Sequence, residues 1–303
     1  MRILVSRPLV VIATVGALVA AGCGGADPET SAGSGTAPPP SVAGAIEHAT
    51  GPTDIVVRVN TGGGFVPVEF NLKSLPSYTL YGDGTVIRPV VSGADVAQAP
   101  NVTPLETTKL DEAGIQKLLE QAKSAGLLAP GTVDYGDMGA LGVSDMPTTS
   151  VTLNAGDVAT SHDAYGLLFA PTEPPAGTLT QAQLDARAAL RGFVALTEQQ
   201  DPKAIAYAPT RLAVWVAPAL AQPTGDSEPI VWPLATAPSV SDTPGAEGID
   251  FHCSVVEGDD VATLVDAVQK APAGAQWIAA ADRNATFQVV VRALLPDEAG
   301  CPA

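Results

Sequence analysis

The chain has 303 residues, with 15 Lys and Arg against 32 Asp and Glu and a formal charge of −17 at neutral pH. That balance argues against a nucleic-acid partner, because phosphate binding draws on clustered Lys and Arg. It argues equally against docking on anionic lipid heads through charge.

Two positive charges, Arg2 and Arg7, precede an apolar stretch at residues 8–21 relieved only by Thr14 and Gly16. A helix needs roughly 20 apolar residues to cross the hydrocarbon core. This run is short for a permanent span and suits the apolar centre of an export signal. It closes on Leu18-Val19-Ala20-Ala21-Gly22-Cys23, which resembles the lipobox of bacterial lipoproteins, with Ala20 standing where that family prefers Leu. The resemblance implies that residues 1–22 are a signal peptide and that Cys23 carries lipid. It also implies that the mature chain is held on the extracytoplasmic face of the cell membrane. Two acyl chains anchor a protein stably where one binds only marginally. Losing residues 1–22 removes two bases and no acid, leaving 13 basic against 32 acidic residues and a charge of −19.

Residues 23–51 then read as the lipidated cysteine and a tether. They contain Gly24-Gly25, Ser31-Ala32-Gly33-Ser34-Gly35 and Pro38-Pro39-Pro40, with few large apolar residues. Such a stretch cannot bury enough surface to offset its ordering entropy, and it serves as a spacer. With Cys23 assigned to lipid, Cys253 and Cys301 are left. Outside the cytoplasm such a pair is expected to be a disulfide, which would also pin the last residues. A zinc site is a poor alternative, since only His252 adjoins one of these cysteines and no ligand spacing is present.

The folded part divides into an N-terminal region, 52–205, and a C-terminal region, 206–303. A β-branched strand at 54–60 ends in Thr61-Gly62-Gly63-Gly64, and Phe65-Val66-Pro67-Val68-Glu69-Phe70 pairs back on it as a hairpin. The glycines lack the Lys-Ser/Thr ending and following helix of a phosphate loop. Residues 78–87 form a second hairpin about Asp83-Gly84, both of which accept positive φ. The further oxygen ligands of a calcium loop are missing there.

A helix follows from about 112 to 125. Asp111 is its N-cap, Leu110 and Ile115 form a hydrophobic staple, and Gly126 stops it. Ile115, Leu118, Leu119 and Ala122 make one buried stripe, and Glu112, Lys117, Glu120 and Lys123 face water. Residues 148–153 and 158–165 flank Asn154-Ala155-Gly156-Asp157 as another hairpin. Within it Ser161-His162-Asp163 has the composition of a hydrolase triad. Successive strand side chains point to opposite faces, and a working triad gathers separated residues, so His162 reads as an ordinary strand residue.

A helix at about 180–198 opens with a Thr180/Gln183 capping box and a Leu179–Leu184 staple. Leu184, Leu190, Phe193, Val194 and Leu196 supply its apolar side, and Pro202 marks its exit. Strands at 211–216, 229–232 and 251–256 follow, then a helix at 259–270 with Val261, Leu264, Val265 and Val268 inward, then a strand at 285–292. Glu257, Asp259 and Asp260 invite a metal reading, but acids at a helix start complement its dipole and explain the group more simply.

Paired strands separated by single helices give an α+β class, with antiparallel hairpins or sheet packed against single helices. A helix-then-strand unit near 111–165 and again near 259–292 leaves room for two similar subdomains. The stretch from Cys253-Ser254-Val255-Val256-Glu257-Gly258 to Leu294-Leu295-Pro296-Asp297-Glu298 and Cys301, with Leu80-Tyr81-Gly82-Asp83-Gly84, resembles uncharacterised exported proteins of actinobacteria. The small lysine content, with abundant Ala, Gly, Val and Pro, agrees with such a high-GC lineage. That resemblance implies lineage and no activity.

No catalytic residues, cofactor or metal ligands are assigned by these patterns. They favour a membrane-anchored binding or protein-interaction module whose partner is an envelope protein or an extracellular ligand; a broad exposed apolar or aromatic patch, for example around Trp215, Trp232 or Trp277, would favour a protein partner. The rival readings are an envelope hydrolase using acidic residues and a solute-binding lipoprotein. The second would usually need two doubly wound lobes.

Overall fold

Turn glycines and capped helices divide the chain into short strands that pair mostly with antiparallel neighbours. The computed structural model describes residues 44–90, 100–138, 145–168, 178–199, 201–219, 228–238, 251–281 and 286–302. The expected signal 1–22, Cys23 and the tether as far as residue 43 lie outside them.

The described residues form β1 (Ile55–Gly62), α1 (Val68–Lys73), β2 (Tyr78–Tyr81), β3 (Thr85–Pro89), β4 (Leu105–Lys109), α2 (Glu112–Ser124), β5 (Thr148–Ala155) and β6 (Val158–Tyr165). After these come α3 (Gln181–Thr197), β7 (Ile205–Tyr207), β8 (Arg211–Pro218), β9 (Ile230–Val231), β10 (His252–Glu257), α4 (Asp260–Lys270), β11 (Gln276–Ile278) and β12 (Thr286–Ala293). A seven-stranded sheet runs β6-β5-β1-β2-β3-β4-β7, antiparallel throughout. A five-stranded sheet runs β10-β8-β12-β11-β9, with only β9 and β11 parallel. The class is α+β, with sheets packed against helices.

The three larger apolar clusters among the described residues hold this arrangement. On one face of the larger sheet Val57, Leu80, Val86, Val151 and Leu153 meet the α2 stripe and Leu190, Phe193 and Val194 of α3. Tyr81 and Ile87 of that sheet join Leu212, Val214, Trp277 and Val291 of the smaller sheet, along with Val261, Leu264 and Val268 of α4. The opposite side of β8, Ala213, Trp215 and Ala217, packs with Val68 and Leu72 of α1. Ala43–Ala303 therefore cluster as one unit, and β7, which begins at Ile205 and runs across the expected boundary between 205 and 206, is an edge strand of the larger sheet.

The folded body begins before residue 52. Ile46 packs on the α2 cluster, its N–H donates to Gln116 Oε1 at 2.8 Å, and Gln116 Nε2 donates back to the Ile46 carbonyl at 2.8 Å. His48 Nε2 lies 3.2 Å from a carboxylate oxygen of Glu112. Composition marked residues 44–51 as spacer, yet one isoleucine and a pair of backbone groups suffice to dock them.

The expected hairpin of 54–60 with 65–70 is not formed. β1 is flanked by β2 on one side and β5 on the other, so it has no free edge. Residues 68–73 instead turn helical, and the i,i+4 pair Val68 and Leu72 covers the smaller sheet. The other elements lie close to expectation. The β2–β3 turn puts Gly84 at φ +87, where an added Cβ would also collide with the Leu110 carbonyl, while Asp83 keeps negative φ. Asp83 serves differently: Oδ1 accepts the Thr85 N–H and Oδ2 accepts from Lys109.

Candidate functional site

Cys253 and Cys301 are joined across 48 residues, Sγ to Sγ at 2.08 Å. Closing a loop of that length stabilises by on the order of 4 kcal/mol in the chain-entropy model. Arg211 fastens the same C-terminal segment by donating to the carbonyls of Glu298 and Ala299.

Ser161, His162 and Asp163 are not brought together. His162 is 2% exposed; its Nδ1 lies 2.8 Å from Tyr135 Oη and its Nε2 lies 2.8 Å from the Leu127 carbonyl. A carbonyl only accepts, so Nε2 carries the proton and Nδ1 accepts from the phenol. Burial, and then the Asp163 charge, push the Tyr135 phenol up to about 12, so it remains a donor. Ser161 and Asp163 sit on the exposed face, where Asp163 accepts from Ser150 at 2.5 Å and from Ser161 at 3.2 Å.

The tryptophans do not form a recognition patch. Trp215, Trp232 and Trp277 are all buried, and Trp232 meets Trp277 edge-on with centroids 5.7 Å apart. Large side chains follow the core rather than the surface when two sheets and a helix must be joined. The exposed apolar residues lie elsewhere, with Phe65 at 90%, Val66 and Phe70 around α1, and Val90 at the end of β3. Phe70, Leu75, Val90, Pro104 and Ala273 line a groove of about 490 Å³ that also contains Lys73. Burial lowers the Lys73 ammonium despite the opposing Glu69 charge. Asp259, expected to cap α4, makes no side-chain cap bond, whereas Asp260 does lie in the first turn.

The polar feature that the sequence reading missed is Arg88. β3 alternates Val86 and Arg88 toward the helices and Ile87 toward the smaller sheet. Arg88 is 8% exposed. Its Nε donates to Glu106 Oε1 at 2.5 Å, directly across the β3–β4 ladder, and its Nη1 donates to the Gln199 carbonyl at 2.6 Å. Nη2 is buried without a hydrogen-bond partner, the one such side-chain atom among the described residues. Arg187, the comparable buried guanidinium on α3, places Nη1 on the Tyr135 carbonyl and Nη2 on the Tyr165 carbonyl.

Arg88 lines a cavity of about 330 Å³ between the sheet, α2 and the C-terminal end of α3. Tyr78, Val86, Leu110, Leu118 and Leu196 give it apolar walls, and Lys117, exposed on α2, stands at its rim. Thr108 donates to Asp201 at the polar end, and that carboxyl is held below its ordinary value by the Lys203 N–H and the Thr108 hydroxyl. Burial drives the Tyr78 phenol upward against the lowering effect of the Arg88 charge, which keeps it a neutral O–H. A pocket with mostly apolar walls and a few convergent donors is the usual form of a small-molecule site.

Comparison of this chain with protein-family models, with curated proteins and with solved structures found no match.

Proposed function

We propose that this chain is a bacterial lipoprotein, anchored through lipid on Cys23 to the extracytoplasmic face of the cell membrane, whose folded body is a binding module. The observation that carries this reading is the run Leu18-Val19-Ala20-Ala21-Gly22-Cys23 at the end of a short apolar segment headed by Arg2 and Arg7. The Cys253–Cys301 disulfide supports an oxidising compartment. No helix among the described residues is long and apolar enough to cross a membrane, so in this reading attachment falls to the lipid. The open cavity that Arg88 helps to line supports a binding role for the body.

Metabolic labelling with a clickable palmitate analogue tests the anchor. The wild-type chain is expected to take up label and the Cys23→Ser variant none. A wild-type chain that stays unlabelled while a known lipoprotein in the same cells is labelled overturns the proposal.

A further inference from the structure

We propose that the outer edge of β6 is a docking surface for β6 of a second copy of this chain, paired antiparallel about a two-fold axis at Ser161. The union joins two seven-stranded sheets edge to edge. It is separate from the ligand-binding reading of the body and from the lipid on Cys23.

Parity along the β5–β6 hairpin decides which backbone groups face outward. Ala155 stands opposite Val158 across the Gly156-Asp157 turn, and at the far end the Gly166 N–H donates to the Pro147 carbonyl. Hydrogen-bonded pairs alternate along an antiparallel ladder, so the even-numbered residues of β6 bond β5. Ala159, Ser161, Asp163 and Tyr165 turn their N–H and C=O groups the other way. Arg187 marks that direction by donating from Nη2 to the Tyr165 carbonyl at 2.9 Å, which closes the edge at its end. Among the described residues no hydrogen bond reaches the outward backbone groups of Ala159, Ser161 and Asp163, and all three residues are exposed.

A long open edge is normally blunted by shortness, by Lys or Pro, or by a bulge. β7 and β9 are three and two residues long, and β10 is tied through Cys253 to Cys301. β6 has eight residues with neither Lys nor Pro, and it pairs β5 without a bulge. The occupant follows from how the open groups match. A two-fold axis at Ser161 sets this residue against its own mate and Ala159 against Asp163 of the second copy. Every outward N–H and C=O of these three residues then meets a partner. An axis at residue 160 would set Asp163 against the turn, and one at residue 162 would set Ala159 against Tyr165, whose carbonyl Arg187 already occupies. Symmetry alone supplies the match, so a second copy is the partner that fits. The two Asp163 carboxylates are displaced by four residues along the ladder, about 14 Å, beyond the Debye length of about 8 Å in physiological salt. The acidity of both copies opposes union at low salt and is screened at physiological ionic strength.

The test uses the full-length chain with Cys23→Ser in detergent, so that the Cys253–Cys301 pair is bonded and no other thiol remains. Ser161→Cys or Ala159→Cys is added, and mild copper–phenanthroline oxidation is followed by non-reducing electrophoresis. Residues facing each other in a hydrogen-bonded pair stand about 5.5 Å apart at Cα, within disulfide reach, whereas the two 159 positions are about 14 Å apart. Ser161→Cys is therefore expected to give at least about tenfold more covalent dimer than Ala159→Cys. Sedimentation equilibrium in density-matched detergent should show the Cys23→Ser chain passing from monomer to dimer as its concentration rises. Ser161→Pro removes an outward N–H and none that β5 uses, so it should restore the monomer with an unchanged circular dichroism spectrum. Equal cross-linking at the two positions, none at 161, or a folded Ser161→Pro chain that still dimerises overturns the proposal. A chain that stays monomeric at every concentration also overturns it, and leaves the edge to a different strand. Palmitate labelling of Cys23 is unaffected by any of these results, so the two readings fail separately.

Discussion

His162 illustrates how little composition says about a polar side chain until its partners are known. Three adjacent residues of triad type are distributed over two faces of β6, and the histidine spends both ring nitrogens on Tyr135 and Leu127 inside the core. Its contribution is therefore to stability. Replacing it by Ala leaves a cavity, an abandoned phenol and an abandoned carbonyl, and is expected to cost about 2–4 kcal/mol in denaturant unfolding. Ser161→Ala, on the solvent side of the same strand, should stay within about 0.5 kcal/mol. Similar losses for the two variants would contradict these positions. The opposite orientation of His162 was legible from strand periodicity alone. The two partners were not, because Tyr135 and Leu127 lie in the segment that follows α2, and nothing in local patterning brings that segment to β6.

Elements whose ends are defined by their own residues were the most readable part of the chain. Asp111 accepts the Gly114 N–H at 2.9 Å, and Thr180 with Gln183 completes a reciprocal capping box. At the end of α2 the Gly126 N–H reaches the Lys123 carbonyl and the Leu127 N–H reaches the Ala122 carbonyl, the paired bonds of a Schellman stop. Gly126 holds φ +77, and an added Cβ there would meet nothing within 4 Å. Gly126→Ala should thus cost only the left-handed backbone penalty, about 1–2 kcal/mol in thermal or chemical unfolding. A neutral substitution would mean that α2 ends differently. Elements stabilised by distant partners escaped the sequence reading: β4, β7 and β11 are short and weakly patterned, and α1 is a helix because the smaller sheet needs a cover there.

Across the whole molecule, the two sheets are joined by a polar cross-link beside their shared apolar cluster. Arg58 of β1 donates through Nη1 and Nη2 to Asp297, at 3.0 and 2.7 Å, and Tyr81 Oη donates to the same carboxylate at 2.6 Å. Burial alone would raise the Asp297 carboxyl, but the bonds from Arg58 and Tyr81 and the Arg58 charge hold it below its ordinary value of 3.8. A depressed folded-state pKa contributes stability that is complete above the ordinary value and is lost as pH falls through the lowered one. Asp297→Asn should therefore cost about 3 kcal/mol near neutral pH, where it leaves Arg58 without its charge partner. The gap to wild type should close as pH falls below 3.8. A gap that persists unchanged in acid would show that the carboxylate charge is not what binds the two sheets.

The sequence by itself determined the caps of α2 and α3, the β2–β3 and β5–β6 hairpins, the buried stripe of α2, the partnership of Cys253 with Cys301, and the α+β class. Each rests on residues close in the chain or, for the disulfide, on a count that leaves one pairing once Cys23 is set aside. Tertiary structure decided that β5 pairs with β1, that 68–73 is helical, that the tryptophans are core, and that Arg88 ends beside a cavity with one corner unmet. Those outcomes depend on which distant surfaces compete for the same edge or face. That competition is settled by burial summed over the whole fold rather than by local pattern.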